Sequence, residues 1–150
     1  MKVANNILIP ELVRLVNAQK EVRFTPSGVS MRPFIEGEKD SVVLVAPTDP
    51  RRGDILLAQV KNANGQTTYV LHRLIRIEGE TYILQGDGNL FGEEQCTRET
   101  ILARVIRIEN PNGRRKPLTR GFLWHALLPV RKWLLKIYRH SILIWFYENN

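Results

Sequence analysis

Apolar residues at both ends of the chain recur at helical spacing. Residues 7–20 place an apolar residue every three or four positions, and Pro10 suits the first turn of a helix. Residues 119–147 alternate apolar and aromatic residues with basic ones, and Pro129 interrupts them. We therefore predict an N-terminal helix within residues 1–20 and a helical tail within residues 111–150 that breaks or kinks at Pro129.

Residues 21–110, between these ends, carry the signals of β structure. Short β-branched runs are separated by turns rich in glycine, proline and asparagine, and Asn64-Gly65 is typical of a hairpin turn. Many short strands joined by turns favour antiparallel, partly closed sheets. The predicted strands are 21–25, 41–46, 54–61, 67–77, 81–84 and 100–109. The fold class is therefore mainly β, with an N-terminal helix and a helical C-terminal tail.

Length and composition indicate one domain with a real core. A chain of 150 residues can bury such a core. Its single cysteine, Cys96, excludes an internal disulfide and a multi-cysteine metal site, and we expect it to be buried and neutral. We find no secretory signal and no run of about 20 apolar residues. These features predict a cytoplasmic or peripherally membrane-associated protein.

The net charge of +7 is confined to the tail. Residues 1–110 contain 14 basic and 14 acidic residues, whereas residues 111–150 contain eight basic residues and one acid, as well as all three tryptophans. One interpretation is a helix that docks on the sheet and leaves a solvated basic face. The other is an anchor that binds an anionic membrane surface through residues 114–147. The density of Trp and Leu disfavours nucleic acid as the partner, and a homodimer stays open.

Ser30 is a candidate nucleophile in a turn punctuated by glycine and proline. It is framed by Gly28, Met31 and Pro33, which we take as candidate oxyanion or substrate-binding positions. Glycine has no Cβ, so a substrate backbone could come close at Gly28, and the backbone N–H of Ser30 could face a developing oxyanion. The competing interpretation is that the serine only bonds to nearby backbone, as turn serines commonly do.

His72 is the single histidine of residues 1–110, the part of the sequence that carries no net charge, and it lies within a predicted strand. Its ordinary pKa suits a general base at neutral pH, although a lone strand histidine is more often structural. Asp87, in a Gly-Asp-Gly-Asn loop, is a candidate for the carboxylate that orients the imidazole. Asp87 could instead only cap backbone N–H groups in its turn, and Glu93 and Glu94 are alternative acids.

Four short motifs follow one another in a fixed order along the chain: Ser30-Met31-Arg32-Pro33, Gly53-Asp54-Ile55, His72-Arg73 and Gly86-Asp87-Gly88-Asn89. Together they resemble the superfamily of type I signal peptidases and LexA-type serine peptidases, over about residues 22–108. The chain is similar to the version of this superfamily that has histidine as the general base where other members have lysine. The resemblance implies the fold of that superfamily, with Ser30 as nucleophile, His72 as general base and Asp87 as acid. It implies no metal and no cofactor.

The chain departs from the family pattern in three respects, the first of which is that no N-terminal membrane anchor precedes the Ser30 motif. The histidine-type enzymes usually carry a further aspartate shortly after the Gly-Asp motif, whereas residues 90–94 read Leu-Phe-Gly-Glu-Glu here. Gly28 stands where some members have a serine that donates to the oxyanion. The identity of the acid therefore stays open between Asp87, Glu93 and Glu94.

These observations favour a serine endopeptidase that cleaves an extended peptide or a preprotein. The alternatives are a non-catalytic module that binds a peptide or partner on the same fold, and a self-processing regulator fragment with residues 1–20 as its cleavable arm. One distance separates the first two. A peptidase needs Ser30 Oγ and the His72 ring within hydrogen-bond reach, roughly 3 Å, whereas a separation beyond about 6 Å would favour the binding module.

Overall fold

The computed structural model describes residues 8–148, and it describes side-chain surroundings for residues 8–127 and 130–141. Helix α1 comes first, eight strands follow, and two helices end the described chain. In order the elements are α1 (Leu8–Asn17), β1 (Val22–Phe24), β2 (Ser41–Val45), β3 (Ile55–Lys61), β4 (Thr67–Glu78), β5 (Thr81–Gln85), β6 (Glu94–Cys96), β7 (Ile101–Glu109), β8 (Arg115–Lys116), α2 (Phe122–Ala126) and α3 (Leu128–Glu148).

The eight strands form one antiparallel sheet in the order β1-β2-β7-β3-β4-β5-β6, with β8 paired to β7. The prediction of a mainly β fold with an N-terminal helix and C-terminal helices is confirmed. The sheet is not closed, because among the described residues its two end strands, β1 and β6, do not pair with each other. The sheet nevertheless curls enough to bring β6 close to β3.

Alternating side chains of β3 and β4 fill two separate cores. Leu57 and Leu71 face the first core, which α1 covers with Ile9, Leu12 and Val16. Neighbouring residues on the same strands, such as Leu56 and Val70, face the second core beside β5 and β6. The two cores therefore lie on opposite faces of the sheet.

The register of β4 against β3 decides where the two motif residues of β4 point. His72 lies directly opposite Leu56, and Arg73 lies directly opposite Ile55. Residues directly opposite one another share a face of the sheet. His72 therefore lies on the face of the second core, and Arg73 on the face of the first core.

The tail breaks where proline was expected to break it. Helix α2 ends at Ala126 and α3 begins at Leu128, immediately before Pro129. Arg131 and Leu135 of α3 are buried against the body. Among residues 8–148, no helix combines the length and the apolar character that crossing a membrane requires.

Candidate active site

The turn that carries Ser30 is anchored in the first core. Met31 and Ile35, the residues at either end of the following helical turn, are both completely buried. The Gly88 N–H donates a 2.7 Å hydrogen bond to the carbonyl oxygen of Ser30, which ties the turn to the Gly-Asp-Gly-Asn loop. Gly28, with φ at +91°, takes a backbone conformation that favours glycine. The position of Ser30 is thus set by packing below it and by a hydrogen bond beside it.

Ser30 and His72 lie within hydrogen-bond distance, although they are 42 positions apart in the chain. Ser30 Oγ is 2.9 Å from His72 Nε2. The other ring nitrogen, His72 Nδ1, is 2.8 Å from Glu94 Oε2. Because a carboxylate only accepts, Nδ1 carries the proton of the neutral ring and Nε2 is left to accept from the serine hydroxyl. This is the arrangement in which an imidazole can take a proton from an alcohol.

Glu94, at the start of β6, is the carboxylate that contacts the histidine. Its side chain keeps 26% of its surface exposed, whereas the side chain of His72 keeps only 3%. The expectation that Asp87 orients His72 is not what the geometry shows, because both Asp87 carboxylate oxygens bind other groups. Glu94, one of the two alternative acids, occupies that position instead.

Glu93, the other alternative acid, lines the same cleft but is paired with an arginine. Both of its carboxylate oxygens accept hydrogen bonds from Arg76, at 2.7 and 2.8 Å. These hydrogen bonds hold the pKa of the Glu93 carboxyl below its ordinary value. The two adjacent glutamates therefore bind different partners, Arg76 and His72.

Asp87 is the centre of a buried ion pair on the other face of β4. Arg73 donates to both of its oxygens, from Nε at 2.8 Å and from Nη2 at 2.7 Å, and neither side chain has significant exposure. Arg73 Nη1 also donates to the carbonyl oxygens of Gly53 and Thr119. Burial acts to raise the pKa of Asp87, but hydrogen bonds from His125 and Arg73 outweigh it and leave the pKa lowered.

The tail binds the same loop, residues 86–89, which we call the Asp87 loop. Trp124 Nε1 donates to the carbonyl oxygen of Asp87 at 2.7 Å, and Arg131 Nη2 donates to that of Asn89 at 2.6 Å. His125 Nε2 donates to the Asp87 carboxylate at 2.8 Å, while its Nδ1 accepts from Arg131. Sequence reasoning missed these contacts, because the tail and the loop are distant in the chain.

The Asp87 loop packs closely against both members of the candidate dyad. A Cβ placed on Gly86 would lie 2.5 Å from the carbonyl oxygen of Ser30 and 3.1 Å from His72 Nε2. Any side chain at Gly86 would therefore displace backbone or press on the imidazole. The Gly-Asp-Gly-Asn motif supports Ser30 through its backbone and binds the tail through its carboxylate.

Ser30, His72 and Glu94 open onto one cleft with a volume of about 700 Å³. Its walls come from the β3–β4 hairpin on one side and from the segment leading into β6 on the other. They include Val60, Lys61, Ala63, Thr68, Val70, Asn89 and Gln95. Sequence reasoning did not single these residues out, because only the register of the sheet assembles them.

The candidate substrate-binding positions Gly28, Met31 and Pro33 are not among the residues that line this cleft. Met31 is completely buried in the first core, so its side chain anchors the turn and does not face a substrate. Pro33 follows a cis peptide bond and is half-buried. For the two side chains Met31 and Pro33, the prediction of substrate contact is corrected to a structural role in the Ser30 turn.

Among the described residues, neither the single cysteine nor the acidic residues provide a further reactive thiol or a metal site. Cys96 is buried as expected, and burial raises the pKa of its thiol to about 11, so it is protonated at neutral pH. Within residues 8–148 no group of histidine, cysteine and acidic side chains is arranged to hold a metal ion.

Burial lowers the pKa of His72 below 6.5, and the hydrogen bond to Glu94 opposes that shift only in part. The ring is therefore neutral, and able to accept a proton, at neutral pH and slightly below. If His72 is a general base, kcat/KM should be constant near pH 7 and fall as the pH drops through the lowered pKa. Measuring kcat/KM from pH 4 to 9 checks this, and an acidic limb centred above 6.5 would contradict it.

Comparison with known proteins identifies no relative. No protein-family model matches the chain, and neither a curated protein nor a solved structure matches it.

Proposed function

We propose that this protein is a serine endopeptidase of the signal peptidase and LexA type, with Ser30, His72 and Glu94 as its catalytic residues. The observation that carries the proposal is the chain of two hydrogen bonds from Ser30 Oγ through the His72 ring to Glu94. A nucleophile, a base and an orienting carboxylate in this order are the components of acyl transfer by serine. The four ordered motifs supply independent support from the sequence.

In the first half of the reaction, Ser30 Oγ attacks the carbonyl carbon of the scissile peptide bond while His72 Nε2 takes the hydroxyl proton. The imidazolium that forms is stabilised by Glu94 through Nδ1–H. His72 then returns the proton to the leaving amine as the C–N bond breaks, and the acyl group is left as an ester on Ser30. We assign the backbone N–H of Ser30 to the oxyanion of this step.

In the second half, a water molecule attacks the ester carbonyl and His72 accepts one of its protons. The ester bond breaks, the proton passes to Ser30 Oγ, and the acyl product leaves as a carboxylic acid. The buried, neutral state of His72 suits both halves, since the ring must begin each of them unprotonated.

An extended substrate has a strand edge available beside the dyad. The first half of β4, from Thr67 to His72, pairs with β3 on one side, while β5 pairs only with the second half, from Arg73 onwards. Among the described residues no strand pairs with the other edge of that first half. Thr68, Val70 and His72 line the cleft along it. A peptide added there would place a backbone carbonyl next to Ser30.

The geometry gives less support to the two alternatives. A non-catalytic module would not need Ser30 Oγ within 2.9 Å of an unprotonated ring nitrogen whose partner nitrogen is held by a carboxylate. A self-processing arm was expected within residues 1–20, of which 1–7 lie outside the described residues. The described part forms α1, which packs into the first core through three buried residues.

A peptide library tests the proposed activity. We expect the full chain to cleave a subset of proteome-derived peptides at internal bonds, with new termini identified by mass spectrometry. The His72→Ala variant should leave the same peptides intact, because Ser30 then lacks its base. As a matched control, His140→Ala removes an exposed histidine of the tail and should cleave like the wild type. An uncleaved library, or equal cleavage by the His72 variant, would contradict the proposal.

A further inference from the structure

Large apolar side chains lie exposed along the C-terminal segment. Trp133 has 63% of its surface exposed and Leu123 has 76%. Monomeric proteins rarely expose contiguous apolar surface without a binding role. The exposed large apolar residues of the described tail are Leu118, Phe122, Leu123, Leu127, Val130, Trp133, Leu134 and Ile137.

Helix α3 has three faces of different character. Its body-facing side consists of the buried Arg131 and Leu135 and the half-buried Tyr138. The apolar stripe, which we define as Val130, Trp133, Leu134 and Ile137, is exposed and lies to one side of the body-facing residues, about 70° from their mean direction at Leu134 and more than about 100° at the other three. The basic row, which we define as Lys132, Lys136 and Arg139, is exposed and lies about 100° to the other side.

The contacts of the tail hold these faces in a fixed orientation. Trp124, His125 and Arg131 all bind the Asp87 loop, and Tyr138 donates to Glu36 at 3.2 Å. The apolar stripe therefore faces outward from a helix whose other side is held against the body by hydrogen bonds. The docking interpretation of the tail accounts for one face of α3 and leaves the stripe without a partner in the described structure.

Charge decides which partner suits the stripe. The basic row meets the apolar stripe on the side of α3 that faces away from the body, where Trp133 and Ile137 line one cavity together with Lys136 and Arg139. Residues 111–150 contain eight basic residues against one acid. A second copy of this chain on the stripe would bring two basic rows together, which is unfavourable. An anionic partner removes that conflict. Exposed Trp and Leu beside Lys and Arg are the combination that binds the boundary between acyl chains and anionic head groups.

We propose that α2 and α3 form a docking surface for an anionic lipid bilayer. The apolar stripe enters the acyl boundary, and the long stems of the basic row carry their charges to the head groups. This proposal rests on the tail alone and is independent of the peptidase activity.

Vesicle co-sedimentation of the full chain tests the surface directly. We expect binding to vesicles of phosphatidylcholine with phosphatidylglycerol and little binding to phosphatidylcholine alone. The double variant Trp133→Ser, Ile137→Ser should lower the affinity at least about 10-fold by removing apolar contact. The triple variant Lys132→Gln, Lys136→Gln, Arg139→Gln should lower it roughly 100-fold, at about fivefold per charge near an anionic surface.

A matched pair of exposed apolar residues on the body provides the control. Leu8→Ser with Ile77→Ser removes similar exposed surface away from the tail and should bind vesicles like the wild type. Circular dichroism should show the same helix content in every variant, since the altered side chains are exposed.

Two results would overturn the proposal. One is a full chain that does not sediment with anionic vesicles, or that sediments equally well after the apolar substitutions. The other is self-association of the wild type in light scattering without lipid, abolished by the same substitutions, which would assign the stripe to a second copy.

Discussion

Replacement of Ser30 by alanine is expected to reduce peptide cleavage by about 10⁴-fold or more, because loss of the nucleophile in a serine peptidase leaves only binding and oxyanion effects. The free energy of unfolding should change by only about 1 kcal/mol, since the substitution removes one hydrogen bond of a half-buried hydroxyl. The measurements are kcat/KM on a cleaved peptide and the urea midpoint of each variant.

Ser141→Ala is the matched control for the nucleophile. Ser141 is exposed on α3 and donates to the backbone carbonyl of Ile137, away from the cleft, so its removal should leave cleavage unchanged. Residual cleavage by Ser30→Ala at more than about one tenth of the wild-type rate would be incompatible with Ser30 as the nucleophile.

Glu94→Gln should mainly lower kcat, whereas Asp87→Asn should mainly lower the free energy of unfolding, because the two carboxylates have different partners. Glu94→Gln removes the charge that orients and stabilises the His72 imidazolium, so kcat should fall by about 10² to 10⁴-fold. Its effect on stability should be small, since Glu94 keeps part of its surface in water. Asp87→Asn should instead lower the free energy of unfolding by roughly 3–5 kcal/mol, because Arg73 is left buried without an anion.

Urea unfolding and steady-state kinetics on both variants separate these roles. Asp87→Asn assayed below its unfolding transition should retain His72 with its Glu94 partner, so the kinetic loss should be the smaller of the two. If Asp87→Asn were stable but inactive while Glu94→Gln stayed active, Asp87 and not Glu94 would be the carboxylate that orients His72. The pH profile adds a second discriminator, since loss of the Glu94 negative charge should lower the pKa of His72 further and move the acidic limb to lower pH.

The fold and the dyad could be predicted from the chain because their signals are local. The hairpin at Asn64-Gly65 and the β-branched runs predicted β3, β4 and β7 to within about two residues. Ser30 and His72 each belong to a short motif that is readable without its partner. Their 2.9 Å separation is a tertiary effect: it depends on the packing of Met31 and Ile35 in the first core and on the hydrogen bond from Gly88 to Ser30.

The sequence left the carboxylate partner of His72 open between Asp87, Glu93 and Glu94, because the strand that carries Glu94 has no sequence signal. Strand β6 is only three residues long and reads Glu-Gln-Cys, which lacks the β-branched residues that mark a strand. It forms because β5 offers an edge to pair with, which is a tertiary effect. Asp87 matches the position of the acid in the motif, but it does not bind His72. Its partner is Arg73, the next residue along β4, whose side chain lies on the opposite face of the sheet.

Labelling with a fluorophosphonate probe tests the central claim most directly, since the probe reacts only with an activated serine. Intact mass should show one adduct on the wild type, and peptide mapping should place it on Ser30. We expect no adduct on His72→Ala and slower labelling of Glu94→Gln, with His140→Ala labelled like the wild type. A wild type that stays unlabelled, an adduct on another residue, or equal labelling of His72→Ala would contradict the account.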